Sequence, residues 1–458
     1  MKFYDREREI ARLRSFGEGP FILAVVGRRR VGKTRLITEA FPGCIYLFVS
    51  EEKSERMLCE EWRRNLQEEL YIPEFSDADR FIEYLINTTQ RVIFIDEVQN
   101  LERINPAVLS RLQRVLDATR EQAKVVFCGS YVSMVNRLFT SSGSPLFGRA
   151  DVVLHLRELD FATVSEILRD MGFSFNDTVT LYSVFGGMPR YYELMERTGA
   201  REVKSIVSEM FFDEFSPLRH EGSLVLRNEF GGEYRVYFSI MEAIASGKST
   251  LTEISDSVGM KAQTLSKYLV SLREDFGLIE RRTPVTDEAR RSRSGRYFLK
   301  NNFYAFWFRF VHRNYSFLEE GKYERVFERT MELLPDHTGR IFEGIVRDNL
   351  RRTDEWDRVG QWWNRKGDEI DIVALNEKRK EILFGEVKWR NRPVGWNVVE
   401  ELMKKKELVN WHNGERKERF LVVSKSGFTK KCIERMDEEG VMHWDIEEVA
   451  GILTGESR

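Results

Sequence analysis

Residues able to do chemistry gather in two parts of the chain. The first part begins with Gly27-Arg28-Arg29-Arg30-Val31-Gly32-Lys33-Thr34, a match to G-x-x-x-x-G-K-T. The two glycines let the backbone turn tightly, so that successive N–H groups converge on phosphate oxygens. A helix opening near Gly32 adds its positive end. Lys33 then reaches the β- and γ-phosphates, and the Thr34 hydroxyl is placed to ligate Mg²⁺. The expected ligands are ATP and Mg²⁺, held by residues 27–35 with Arg35 included. Arg28, Arg29 and Arg30 either add charge beside the phosphates or are solvated, and the second reading is the simpler. Further on, RVIFIDE (91–97) is an apolar run ending in Asp96-Glu97, the Walker B pattern. Asp96 would hold Mg²⁺ through water, and Glu97 would polarise the attacking water. An acidic turn after an ordinary strand is the alternative. KVVFCGS (124–130) ends in a small polar residue that either senses the γ-phosphate or closes a Gly-Ser turn. Arg149, in the loop SSGSPLFGRA, is a candidate for neutralising transition-state charge, in its own subunit or in a neighbour's. An exposed loop arginine is an equal reading.

The second part lies near the other end of the chain. It contains Glu343 in TGRIFEGIVRDNLRR, Asp371 in DEIDIVALN, and Glu386-Val387-Lys388 in EILFGEVKWR. Alternation along a strand puts Glu386 and Lys388 on one face. Carboxylates holding Mg²⁺ beside a lysine that orients or activates water suit phosphodiester cleavage. A surface charge network is the other account of the same residues.

The elements that must position these groups follow from the pattern. Apolar runs predict strands at Phe21–Val26, Cys44–Val49, 91–97 and 124–130, with helices between them. Residues 157–225 read as helices. From Tyr237, helical patterns over YFSIMEAIASGKS, LTEISDSV and AQTLSKYLVSLRED precede GLIERRTPV and RYFLKNNF, the layout of a winged helix. Leu265, Leu269 and Leu272 should face its core, and Lys261, Gln263, Thr264 and Lys267 a groove. Its wing holds Arg281, Arg282, Arg290, Arg291, Arg293 and Arg296, which suit phosphate contacts with DNA, contacts with protein, or plain solvation. The aromatic stretch 301–316 has helical rhythm and reads as a buried interdomain seam rather than a base-stacking platform. Two strands around Asn376–Lys380, a basic helix with Lys404, Lys405 and Lys406, and a last strand ERFLVVSK complete the reading. The lines drawn are 1–155 for the ATPase core, 156–230 for a helical lid, 231–316 for the winged helix, 317–335 for a helical linker and 336–458 for a nuclease-like domain.

Composition bounds the rest. A chain of 458 residues with 42% hydrophobic residues can build several cores, and a net charge of −2 means that any nucleic-acid surface is local. The four cysteines are scattered and form no C-x-x-C pair, as suits buried thiols in a reducing compartment. No apolar run has membrane-spanning length, and the charged start MKFYDRERE is unlike a signal peptide, so a cytoplasmic protein is expected.

Phe3, Arg6 and Glu9, the GRRRVGKT loop, VIFIDE, FCGS, SPLFGR and YSVFGGMPRYY together resemble the archaeal ATPase family, related to the STAND and AAA-type origin-recognition NTPases. The resemblance covers roughly residues 1–225. It implies an α/β P-loop NTPase fold, with the Phe3–Glu9 segment near the adenine and Pro189 of the lid against the nucleotide. Asp371, Glu386-Val387-Lys388 and Glu343 resemble the PD-(D/E)xK nuclease fold, a restriction-endonuclease-like α/β domain that this family often carries. The combined expectation is an ATPase whose nucleotide state governs DNA binding or processing. A regulatory switch or protein-binding scaffold with an inactive C-terminal domain is the alternative.

Overall fold

The computed structural model describes residues 2–17, 19–288 and 292–454. The chain divides into two compact units: Met1–Leu159 with Met188–Arg190, and Asp160–Gly187 with Tyr191–Arg458.

The first unit is built on five parallel strands: β1 (Phe21–Val26), β2 (Ile45–Phe48), β3 (Ile93–Asp96), β4 (Lys124–Gly129) and β5 (Val152–His155). Their order is β2-β3-β4-β1-β5. Strands covered on both faces lose the polar alternation of half-exposed ones, which is why β1 is apolar and buried at every position. Trp62, Phe81, Leu85 and Phe127 belong to the core that helices build on this sheet. Because β4 lies between β1 and β3, the carboxyl ends of these three strands stand side by side, where ligands bind in open α/β sheets.

The second unit begins with helices, as expected: Phe161–Asp170, Phe175–Phe185, Val203–Phe211 and Glu221–Phe230 among them. Three more follow, at Tyr234–Ala245, Leu251–Val258 and Ala262–Glu274, and then an antiparallel pair, β6 (Ile279–Arg282) and β7 (Arg296–Leu299). The start of the Leu251–Val258 helix is dictated locally. Thr250 accepts from the Glu253 N–H while the Glu253 carboxylate accepts from the Thr250 N–H, a reciprocal cap. Leu265, Leu269 and Leu272 are buried, and Lys261, Gln263, Thr264 and Lys267 are exposed. The aromatic stretch does form a seam within this unit. Phe303 packs on Tyr191 and Phe306 on Phe211, with ring centroids 4.6 and 4.9 Å apart, while Trp307 donates to the Arg219 carbonyl at 2.8 Å.

A mixed sheet closes the unit: β8 (Arg358–Trp363), β9 (Glu369–Asn376), β10 (Glu381–Lys388), β11 (Lys417–Ser424) and β12 (Met442–Trp444), in the order β12-β11-β10-β9-β8. β8, β9 and β10 run antiparallel in turn, and β10, β11 and β12 parallel. Phe342, Ile345 and Val346 of the Tyr323–Arg351 helix share one core cluster with Ile372, Leu383 and Val423 of the sheet. Phe161 and Val179, from the segment read as a lid, belong to the same cluster. Val398, Val399, Leu402, Cys432 and Met436 of two further helices share another with Val373, Phe384 and Val422.

Several expectations are corrected here. The boundary near residue 335 falls inside a helix, Tyr323–Arg351, which continues through Pro335. The proline costs one backbone hydrogen bond, but it is exposed, and Leu334, His337 and Thr338 beside it are buried and anchor the turn. ERFLVVSK is not the last strand, because a helix (Lys430–Glu439), β12 and a helix (Ile446–Thr454) follow. Of the described wing arginines, Arg293 is exposed and the other three have partners within the fold. Arg282 donates to Gln361 at 3.1 Å and lies over the Phe298 ring. Arg296 pairs with Glu369 at 3.1 Å and lies over Trp363. Arg281 donates to the Ser292 carbonyl. Arg290 and Arg291 lie outside the described residues. No described helix is long and apolar enough to cross a membrane.

Candidate nucleotide and metal sites

Gly27 follows β1, where a Cβ would meet the Leu156 carbonyl oxygen at 2.7 Å, so only glycine fits the close passage beside the end of β5. Arg30 (φ 71°) and Gly32 (φ 95°) turn the loop through left-handed conformations into the Lys33–Ala40 helix. Lys33 is 5% exposed. Its ammonium donates to the Gly27 carbonyl (2.8 Å), the Arg28 carbonyl (2.9 Å) and the Ser130 hydroxyl (2.9 Å). Its three hydrogens are therefore all directed, onto groups that phosphate oxygens outbid in charge.

The carboxyl ends of β3 and β4 supply the rest. Thr34 donates to Asp96 Oδ2 at 3.0 Å, and the Tyr46 hydroxyl donates to the same oxygen at 3.1 Å. The nearby carboxylate and burial both hold the Tyr46 phenol protonated, with burial the larger cause. Glu97 sits at φ 57°, a conformation that non-glycine residues rarely adopt and that is common at functional sites. It is held from three sides: it accepts from the Ser130 hydroxyl (2.6 Å), from the Ser130 N–H (3.2 Å) and from the Gln99 amide. Lys33, Ser130 and Glu97 thus form one hydrogen-bonded chain. A hydroxyl and a carboxylate 3.0 Å apart are a hard oxygen pair of the kind Mg²⁺ takes, so Thr34 and Asp96 fit that ion.

The other predicted residues of this unit fall into place around the loop or away from it. Arg28 pairs with Glu158 at 3.1 Å. Arg29 and Arg30 are exposed, and Val31 is buried. Arg35 lies over the Phe3 ring, 5.3 Å from its centroid. Arg6 is 6% exposed and holds Glu9 at 3.0 Å and the Arg157 carbonyl, so the N-terminal segment is anchored on the unit that carries the loop. Pro189 groups with that same unit together with Met188 and Arg190, although the segments on either side of these three residues belong to the second. Arg149 is held in a bidentate pair with Asp117, both contacts 2.9 Å, and also donates to the Phe147 carbonyl. Tyr46 and Gln99 escaped the sequence reading. Tyr46 gave no signal beyond a tyrosine in a strand, whereas Gln99, two residues after Glu97, was close enough to suspect.

In the second unit, Asp371 Oδ2 accepts from the Val387 N–H at 3.0 Å, so its carboxylate caps the end of β10. Glu386 pairs with Lys388, and Lys405 approaches its other oxygen to 3.9 Å. That other oxygen, Oε2, is buried and has no hydrogen-bond partner. Burial and then the Asp371 charge push the Glu343 carboxyl up to about 8, and burial and then Glu386 raise Asp371 to about 6. Arg347 ties the group together, donating to the Asp371 carbonyl at 2.9 Å and lying 3.6 Å from Glu343. The three carboxylates are not closed into one cage. Among the described residues only Glu55, Asp77 and Asp79 bring three possible ligand atoms within 4.8 Å of one another, and Arg111 pairs with each of them. The basic helix is partly spent too, since Lys406 pairs with Glu418 at 2.7 Å.

Residues 3–195 match a family described as an ATPase domain predominantly from Archaea, and residues 307–407 a family described as archaeal and bacterial proteins of unknown function. The uncharacterized protein MJECL04 of Methanocaldococcus jannaschii is 31% identical over 90% of this chain and 94% of its own length. The chain belongs to the same family, one of archaeal P-loop ATPases. Among solved structures, the Walker-type ATPase PABY2304 of Pyrococcus abyssi has the same fold over 67% of this chain and 96% of its own, with a TM-score of 0.50 and 16% identity. The Aeropyrum pernix ORC2 protein, in ADPNP–ADP complexes, matches 72% of this chain and 96% of its own at a TM-score of 0.46 and 15% identity. The ATPase match spans Lys33, Thr34, Asp96, Glu97 and Ser130, and the match of unknown function spans Glu343, Asp371, Glu386 and Lys388.

Proposed function

We propose that this member of the archaeal ATPase family hydrolyses ATP at the β1–β3–β4 end of its first unit, and that the nucleotide state governs an activity of the second unit on DNA. The observation that carries the first half is the Lys33–Ser130–Glu97 chain beside the Thr34–Asp96 pair. Phosphate-neutralising, metal-holding and water-orienting groups there come from three adjacent strand ends. Backbone N–H groups of residues 27–34 and the start of the Lys33–Ala40 helix receive the phosphates. Lys33 exchanges its two carbonyl partners for β/γ-oxygens. Thr34 and Asp96 would hold Mg²⁺, which neutralises charge on the same oxygens when bound. Glu97, fixed by Ser130 and Gln99, orients the water for in-line attack. Pro189 is assigned to the nucleotide side of the lid, and Arg149 to transition-state charge after leaving Asp117. Phosphate release tests the reading. Lys33→Ala should abolish both binding and turnover, while Glu97→Gln should bind ATP and turn it over at least about 100-fold more slowly. Wild-type turnover by Glu97→Gln removes that residue from the mechanism.

A second reading concerns the output. Glu386, whose Oε1 meets Lys388 and whose Oε2 accepts no hydrogen bond, suits, with Asp371, a divalent cation and metal-assisted phosphodiester cleavage. Asp371 and Glu386 would hold the ion, Glu343 would lie behind them, and Lys388 would orient the water. The helix–helix–hairpin segment 234–299 would present the Ala262–Glu274 helix to DNA. Nicking that needs Mg²⁺ or Mn²⁺ and is lost in Asp371→Ala and Lys388→Ala supports cleavage. DNA binding without cutting in any metal or nucleotide state leaves the switch reading.

A further inference from the structure

Within the second unit a cavity of about 390 Å³ opens beside the Tyr323–Arg351 helix. Its volume is in the range of small-molecule sites. Six cations line it: Arg282 and Lys300 from the hairpin segment, and Arg340, Arg347, Arg351 and Arg352 from the helix and its end. Arg340, Gly344, Arg347 and Arg351 recur at three- and four-residue spacing, so one face of the helix is turned to the cavity. Gly344, with no side chain, leaves room in the middle of that face.

Only three carboxylates share the lining, and each is taken. Glu280 pairs with Arg282, Asp348 with Arg351 at 2.6 Å, and Asp160 with Arg352 at 2.8 Å. Arg347 has a loose contact with Glu343 at 3.6 Å. Arg340 and Lys300 have no acidic partner within 4 Å among the described residues, although both are exposed and near solvent. The remaining wall is mostly apolar, with Phe161, Tyr182, Ile341 and Leu453, and includes the amides of Asn302 and Asn349. Excess cationic groups around an open cavity, beside aromatic and apolar side chains, match an anion with a planar or apolar body.

We infer that this cavity binds a phosphoryl group, carried either by a free nucleotide-sized compound or by the terminus of a nucleic-acid strand. The inference rests on neither reading above: it needs no ATP hydrolysis and no metal.

The test uses the full chain with Lys33→Ala, to silence the P-loop, in EDTA. It is titrated calorimetrically with pyrophosphate, with AMP, and with a short DNA strand bearing a terminal phosphate or a terminal hydroxyl. Saturable binding of at least one phosphorylated probe is expected. It should weaken about tenfold or more in the charge-reversed double variant Arg340→Glu/Lys300→Glu. Both positions are exposed, so the thermal midpoint should not move, and Arg340→Ala alone should give a smaller loss in the same direction. Binding by AMP and pyrophosphate but not the strand assigns a free ligand. Binding of the strand only with its terminal phosphate assigns a strand end. No saturable binding by any probe, or equal binding by parent and double variant, overturns the inference.

Discussion

Replacing Ser130 by alanine tests whether the chain from Lys33 to Glu97 does catalytic positioning. The hydroxyl accepts from the Lys33 ammonium at 2.9 Å and donates to Glu97 at 2.6 Å. Without it, Lys33 keeps the Gly27 and Arg28 carbonyls, and Glu97 keeps the Ser130 N–H at 3.2 Å and the Gln99 amide. A hydrogen bond to a charged group contributes about 1.5–3 kcal/mol. Phosphates compensate Lys33 once ATP is bound, so the uncompensated loss falls on Glu97, whose backbone is already in an unfavourable conformation. A loss of about 1.4–2.7 kcal/mol in positioning corresponds to turnover about 10- to 100-fold slower. Nucleotide affinity should change less than about threefold, because every charge that meets the phosphates remains. Single-turnover phosphate release and equilibrium binding of a fluorescent nucleotide separate the two. Turnover within a factor of two of wild type, or a fall in affinity that accounts for the whole loss, refutes the positioning role.

Gly129→Ala places a Cβ 2.3 Å from both Gln99 Oε1 and Val135 Cγ2. It should cost about 1–3 kcal/mol in urea unfolding and slow turnover by displacing the amide that holds Glu97. If Arg149 acts on transition-state charge, Arg149→Ala lowers turnover about tenfold or more while Asp117→Ala, which only releases the guanidinium, does not. Parallel small losses of stability with turnover unchanged in both variants would reduce Arg149 to a surface ion pair. For Glu343, folding raises the carboxyl from 4.5 to about 8, so the unfolded chain gives up its proton first and stability falls as pH rises across that window. The effect is at most about 5 kcal/mol at about 1.4 kcal/mol per unit, with the opposing pull of Arg347 and Lys388 already contained in the raised value. Glu343→Gln should therefore match wild type in thermal midpoint near pH 4.5 and exceed it at pH 8 and above; an equal difference at both pH values counts against the buried-acid account.

What could be read from the sequence follows the range of the interaction that decides each feature. The strands at Phe21–Val26 and Lys124–Gly129 and the loop between Gly27 and Lys33 are fixed by neighbours in the chain: apolar runs, glycines and a helix start. They were legible to within a residue. The helix from Leu251 to Val258 was legible for the same reason, since Thr250, Glu253 and Gly259 cap it locally. The long helix through Pro335 was not, because burial of Leu334, His337 and Thr338 by distant elements outweighs one missing backbone donor. Charge is the hardest case. A guanidinium written in a basic loop has the same local pattern whether it is solvated, spent on a carboxylate or aimed at a ligand. Arg296 ends at Glu369, 73 residues away, and Arg282 at Gln361, 79 residues away, so a wing that reads as a phosphate clamp is partly mortar. Arg28, which reads as phosphate-facing or solvated, ends at Glu158, 130 residues away. The lining of the second-unit cavity shows the converse. Arg340 and Lys300 sit in unremarkable stretches of sequence, and only the fold sets them around one space, with no acidic partner within 4 Å among the described residues. A basic residue therefore acquires meaning from the carboxylates the fold brings within reach of it.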